Sequence, residues 1–371
     1  MSPAASRIRK SASVFLLALA VLLAAAGPST AAPDATTSII NGNPTSIAAW
    51  PWQVGVAYSP PVGPDSSPWH RTFCGGSIIA PTIVLTASHC AVDMIGHPAS
   101  DYEVIAGRTN LNDLSTGREV RLSKVVLPRT KKGMIRYRVQ SGWDVALLVL
   151  REPLPETPIQ LLGPDEEQAV SPGMRLIETG WGTTITGKRY SPKSLKVGGT
   201  NIQPGAICRR LLGARYFDDA LQICLGDANG YQANCYGDSG GPAVVRTTAG
   251  YRQVGVTSSG TAPDCAGTIP NVDALVGGRS LRSWIQSEVL ARTGVDPVGA
   301  GGAASLTMSY CRIPFVKGLV FRQATQRILG HGCLATKKKV HGHGNVVARQ
   351  PAPAGWFWNR GAPVRLVVGG R

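Results

Sequence analysis

Eight cysteines stand behind an N-terminal export signal, and that combination constrains the fold more than any other feature of the chain. They are Cys74, Cys90, Cys208, Cys224, Cys235, Cys265, Cys311 and Cys333. The signal begins with Arg7, Arg9 and Lys10, continues as an apolar run from Val14 to Ala26, and ends in small residues through Ala32. The run is shorter than the ~18 residues a spanning helix needs, which favours a secretory signal over an uncleaved anchor. We place the signal at residues 1–31, with cleavage after Ala31; a cut after Ala26 is the alternative. No later segment is long and apolar enough to span a bilayer. In an exported chain an even number of cysteines reads as disulfides. Eight cysteines allow about a hundred pairings, of which neighbour with neighbour in sequence order is the simplest.

The remainder splits by charge. Residues 39–296 carry 24 Lys/Arg against 21 Asp/Glu, whereas residues 297–371 carry 11 Lys/Arg and no acid. The break coincides with a Gly- and Ala-rich stretch between Gly294 and Ser305, so 297–310 reads as a linker. Upstream of it the chain is a series of short β-branched runs: Gln53–Tyr58, Ile78–Ile79, Ile83–Thr86, Val145–Leu150 and Val254–Thr257. Turn residues separate them, as 44 glycines and 27 prolines allow, and the pattern predicts an all-β body. One helix is predicted over Ser280–Leu290, where Leu281, Trp284 and Ile285 recur at helical spacing and Ser280 is the expected N-cap.

The chemistry concentrates in three segments. Gly237-Asp238-Ser239-Gly240-Gly241-Pro242 surrounds a serine with glycines, which permit a tight turn that exposes Oγ and aims amides at an oxyanion. His89 lies in Leu85-Thr86-Ala87-Ser88-His89-Cys90, where a strand meets a cysteine corner. Asp144 opens the apolar strand Val145–Leu148, where its carboxylate can be buried and directed at an imidazole. The glycine-flanked serine also fits the elbow of α/β-hydrolases. That fold wants a helix after the serine, but Pro242-Ala243-Val244-Val245 reads as a strand. It also wants its histidine after the serine, and here His89 and Asp144 both precede Ser239.

In this order the segments resemble the chymotrypsin-like (trypsin-fold) serine proteases. Ile39-Ile40-Asn41-Gly42, Phe73-Cys74-Gly75-Gly76-Ser77, Gly180-Trp181-Gly182 and Pro270-Asn271-Val272 add to the match, which covers residues 39–296. The resemblance implies two six-stranded antiparallel β-barrels and a catalytic triad of His89, Asp144 and Ser239. It implies an oxyanion hole from the amides of Gly237 and Ser239, and a short pro-segment, 32–38. On removal of that segment, the new ammonium of Ile39 would pair with Asp238. It also implies the bridges Cys74–Cys90, Cys208–Cys224 and Cys235–Cys265. No metal or other cofactor is expected. The rival from another class is a catalytically silent, protease-like adhesion or wall-binding protein.

Departures from the family shape the substrate expectation. A trypsin carries Asp six residues before the serine, where this chain has Ala233. Gly260 leaves one pocket wall open, and Asn271 replaces a usual glycine on the other, where its side chain is expected to intrude. The pocket is therefore expected to reject Arg and Lys and to take small or medium uncharged residues. Where calcium-binding relatives have Gly-Glu, this chain has Gly107-Arg108, which argues against calcium.

The tail reads as a small α+β unit. It has a helix over Leu319–Leu329 and strand-like pieces at 338–340, 346–348 and 364–368. A unit of fewer than ~80 residues needs a staple, which Cys311–Cys333 can supply. Ile313-Pro314-Phe315-Val316-Lys317-Gly318, Gln350-Pro351-Ala352-Pro353-Ala354-Gly355 and Gly361-Ala362-Pro363-Val364 make residues 311–371 similar to a PASTA repeat, a module of bacterial cell-surface proteins. That resemblance implies an affinity for peptidoglycan or another anionic wall polymer. A metal site from His331, Cys333, His341 and His343 fits no standard spacing, and export without a recognisable motif argues against nucleic acid.

Overall fold

The computed structural model describes residues 42–60, 67–137, 142–184, 191–226, 233–260, 265, 270–302, 310–331, 333–339, 345–351, 354, 356–359 and 363–369. The predicted signal, the pro-segment, Ile39, His341 and His343 lie outside the described residues.

The first barrel comprises β1 (Gln53–Tyr58), β2 (Thr72–Ala80), β3 (Ile83–Thr86), β4 (Tyr102–Ala106), β5 (Arg118–Val126) and β6 (Ala146–Leu150). They close in the order β1-β2-β3-β6-β5-β4, every pair antiparallel. The second comprises β7 (Arg175–Gly180), β8 (Lys196–Ile202), β9 (Gln222–Gly226), β10 (Pro242–Thr247), β11 (Gly250–Gly260) and β12 (Asn271–Leu275). Their order is β8-β9-β12-β11-β10-β7, and the β7–β8 pairing closes the ring. Closure leaves no unpaired edge among these strands. β-Branched and leucine side chains fill both interiors: Val54, Val56, Ile78, Val84 and Leu147 in the first, Leu176, Ile223, Leu225, Val245 and Val254 in the second.

Two helices accompany the second barrel, α1 (Gly205–Leu212) between β8 and β9, and α2 (Arg279–Thr293) after β12. In α2, Leu281, Ile285 and Val289 are fully buried against the first-barrel core. The expected N-cap is two residues late: Ser280 is already helical, and Gly278 caps without a side-chain bond. Helical periodicity located the buried face, but a glycine cap leaves no side-chain signal.

The tail forms β13 (Tyr310–Arg312), α3 (Phe321–Gly330), β14 (Leu334–Lys339), β15 (Val346–Arg349), β16 (Phe357–Asn359) and β17 (Pro363–Gly369). β17 lies between β14, to which it is parallel, and β15, to which it is antiparallel. β13 pairs with β16, and Cys311–Cys333 ties the first strand to the residue preceding β14. This unit does not close a core of its own. Ile313, Val316, Ala324, Ile328, Trp356 and Leu366 belong to one buried cluster with Ile207, Cys208, Phe217, Cys224 and Val272 of the upstream body. The start of the expected linker is also attached. Leu161 N–H donates to Pro297 O at 2.8 Å, Gly299 N–H to Leu161 O at 2.9 Å, and Gly301 N–H to Asp165 Oδ2 at 2.9 Å. Composition flagged flexibility because it cannot register partners supplied from residues 161–165.

Candidate active site

The cleft residues come from both barrels. After β3 the chain turns into a one-turn helix, Ser88–Ala91, which carries His89. Cys74–Cys90 ties that turn to β2, with a Cα separation of 6.3 Å, and Ser88 Oγ donates to Val145 O at 2.6 Å. Asp144 lies two residues before β6 and is fully buried. Its Oδ1 accepts the backbone N–H of His89 at 2.8 Å, and its Oδ2 meets His89 Nδ1 at 2.8 Å. Ser258 Oγ donates to the same Oδ2 at 2.6 Å. A buried carboxylate needs such donors, and with them it fixes the imidazole orientation and favours a proton on Nδ1. Nε2 is then the nitrogen that can take a proton. Sequence reading missed Ser258, because its use depends on β11 bringing it beside a residue 114 positions earlier.

Ser239 sits at the junction of the barrels. Its carbonyl accepts Gly75 N–H at 2.8 Å, while Gly240 N–H donates to Thr257 O at 2.8 Å. Gly237 and Gly240 take φ of +95° and +80°, a region costly for other residues. A Cβ at Gly240 would lie 2.2 Å from Thr86 Oγ1 and 2.6 Å from Gly75 O, so glycine there permits the close approach of the barrels. Neither the Gly237 nor the Ser239 amide donates to an acceptor among the described residues, which leaves two neighbouring donors for a ligand.

Asp238 points the other way and is buried. Its Oδ1 accepts Gly182 N–H at 2.8 Å and its Oδ2 accepts Cys235 N–H at 3.0 Å. Burial outweighs these bonds and pushes its pKa up to about 8.

Beside Ser239 lies a cavity of about 100 Å³ lined by Asn234, Cys235, Tyr236, Thr257, Ser259, Gly260 and Cys265, with Cys235–Cys265 bridged. Of the three expected wall residues, Gly260 lines it. Ala233 is buried next to Asn234 in sequence. Asn271 is paired with Gly260 in register, and its Nδ2 donates to Asn234 Oδ1 at 2.9 Å rather than projecting into the cavity. Asn234 is the link sequence reading missed: its own Nδ2 donates to Glu178 Oε1 at 2.6 Å. Behind it, burial raises the pKa of both Glu178 and Asp273, and their mutual proximity raises that of Asp273 further.

Cys333 is taken by its bridge to Cys311, which removes it from any metal set. The group Cys74, His89 and Cys90 is likewise depleted by its own disulfide.

The family model described as Trypsin matches residues 39–285. A curated protein named Trypsin, from Saccharopolyspora erythraea, is 31% identical over 223 residues, covering 60% of this chain and 86% of that protein.

Proposed function

Because the chain belongs to the trypsin family of serine endopeptidases, we propose that its peptide-bond hydrolysis runs through Ser239, His89 and Asp144. Ser239 Oγ attacks the scissile carbonyl as His89 Nε2 takes its proton. The oxygen that becomes negative is held by the amides of Gly237 and Ser239. The tetrahedral adduct collapses as His89 returns the proton to the leaving amine, giving an acyl-enzyme. Water, deprotonated by the same nitrogen, attacks the acyl carbonyl, and His89 returns the proton to Ser239 Oγ as the acid leaves. Asp144 stabilises the imidazolium in each half. The observation that carries this reading is the His89 ring, fixed on a buried carboxylate that receives donors from His89 itself and from Ser258.

The activity requires export and processing: removal of residues 1–31, then a cut between Ser38 and Ile39. Asp238 supports this step. A buried carboxyl with a pKa near 8 is short of a cation, and the new ammonium of Ile39 supplies one.

The substrate preference is for small or medium uncharged P1 residues. Ala233 brings no charge, and Asn271 donates to Asn234 in the wall of a small cavity. Glu178 and Asp273 lie behind Asn234 with carboxyls that burial keeps towards the neutral form, so neither provides a ready counter-charge for Arg or Lys. Ser38 at P1 meets the same preference and permits self-processing. A P1 peptide library with the processed enzyme tests this. Ala, Ser, Thr and Val should dominate; a profile led by Arg, Lys or large aromatics would reject it.

The tail, PASTA-like over 311–371, is read as a binding module for anionic wall polymer. Arg312, Arg327 and His331 line a groove of about 290 Å³ with Phe315, in a segment that has no acid to neutralise them. Such binding weakens with salt.

A further inference from the structure

Trp356 brings the tail against a strand of the second barrel close to the substrate pocket. Trp356 belongs to the basic tail by sequence, yet it is fully buried. Its ring lies against Gly226, the last residue of β9, so closely that a Cβ there would be 2.2 Å from Trp356 Cζ3 and 2.5 Å from Cη2. The next residue is clamped by the protease body. Phe357 N–H donates to Gln203 Oε1 at 2.9 Å, and Gln203 Nε2 donates back to Phe357 O at 3.2 Å. The same Nε2 also reaches Gly226 O at 2.9 Å. Gln203 thus holds the tail strand and the end of β9 with one buried amide.

The strands beneath the ring lie next to the pocket: β12 pairs with β11, which supplies Thr257, Ser259 and Gly260 to its lining. β9 pairs with β12, matching Leu225 with Asn271 and Cys224 with Val272. Successive β-strand side chains face opposite sides. Val272 packs into the cluster that contains Trp356, while Asn271 on the other face bonds to Asn234 in the pocket wall. Trp356 and Asn271 therefore act on opposite faces of one two-strand layer.

We infer that Trp356, together with Gln203, is a positioning group for the primary substrate pocket. The tail is part of the specificity apparatus of the protease, not a separable appendage. Packed interiors transmit displacement because they contain little free volume, and a shift of about 1 Å at a binding wall can cost up to about a hundredfold in rate. The inference rests on the proteolytic activity and on the pocket assignment above.

The test uses the full-length processed chain and three approaches to the same contact: Trp356→Ala with Trp356→Phe as its conservative control, Gln203→Ala, and Gly226→Ala from the protease side. Peptides that differ only at P1 (Gly, Ala, Val) are compared, alongside labelling of Ser239 by a methyl fluorophosphonate, which has no P1 side chain. Trp356→Ala, Gln203→Ala and Gly226→Ala should each lower kcat/KM for Ala and Val about tenfold, mainly through KM. The Gly substrate and the labelling rate should change less than twofold, and Trp356→Phe should recover part of the loss. An unchanged P1 ranking in folded variants would overturn the inference. A uniform loss across all substrates and the probe would also overturn it, because it would mark general support rather than positioning. Failure of the wild type to label would instead count against the triad.

Discussion

Under the processing proposed at Ile39, Asp238 is the residue whose behaviour should most distinguish the uncut chain from the processed one. Its carboxyl is buried, receives two amides, and still holds its proton to about pH 8. The unfolded chain releases that proton near the ordinary carboxylate range, so between about pH 4 and 8 the folded state binds more protons. Stability conferred by the raised pKa is complete at the acid end and is lost as pH rises towards 8. We expect the thermal midpoint of uncut Ser239→Ala protein to fall across that window. In a chain produced to start at Ile39, the ammonium lowers the Asp238 pKa, and this fall should shrink. Parallel pH profiles of the two forms would contradict the pairing. At this scale the segments around His89, Asp144 and Ser239, which we propose as the triad, and the glycines around Ser239 were legible from local motifs. Ser258, Asn234 and Glu178 were not, because each acquires its partner only through barrel register.

At the scale of elements, the loop between β4 and β5 carries its own cation. Arg108 is buried; its Nε donates to Thr116 O at 2.9 Å, and its Nη1 to Leu111 O at 3.2 Å and Glu119 Oε1 at 2.7 Å. Glu119 also accepts from Arg71 Nη2 at 2.9 Å, and Arg71 pairs with Glu103. Burial opposes ionisation of Glu119, but the bonds from Arg108 and Arg71 outweigh it and lower its pKa. The guanidinium places a positive charge among the oxygens of this loop. Chelator should leave the melting temperature unchanged, while Arg108→Ala should cost about 2 kcal/mol, because it removes a donor from the Leu111 and Thr116 carbonyls and leaves Glu119 with Arg71 alone. A chelator-sensitive melt, or a neutral Arg108→Ala, would refute this. The strands themselves were readable wherever β-branched residues clustered: β1 and β3 have the bounds their sequences suggest. Element ends were less readable. The tail helix begins at Phe321 rather than Leu319, after an extended Val320 cap without a side-chain bond.

Across the whole molecule, the two barrels meet through polar side chains as well as through the cleft. Ser77 Oγ donates to Gln253 Oε1 at 2.7 Å, and Thr179 Oγ1 to Gln53 Oε1 at 2.6 Å, all four residues being buried. Those bonds fix the relation between the half of the site that carries His89 and Asp144 and the half that carries Ser239. The charge break near residue 297 marks a change of composition but conceals a shared core, because Trp356 and Val272, far apart in sequence, meet only through the fold. The central claim concerns the site between the barrels, and turnover of a P1-alanine peptide by processed wild type, Ser239→Ala and His89→Ala tests it most directly. Each substitution should lower kcat by several orders of magnitude while the protein remains folded, because the nucleophile and its base act as a unit. Turnover within tenfold of wild type in either folded variant would contradict the account.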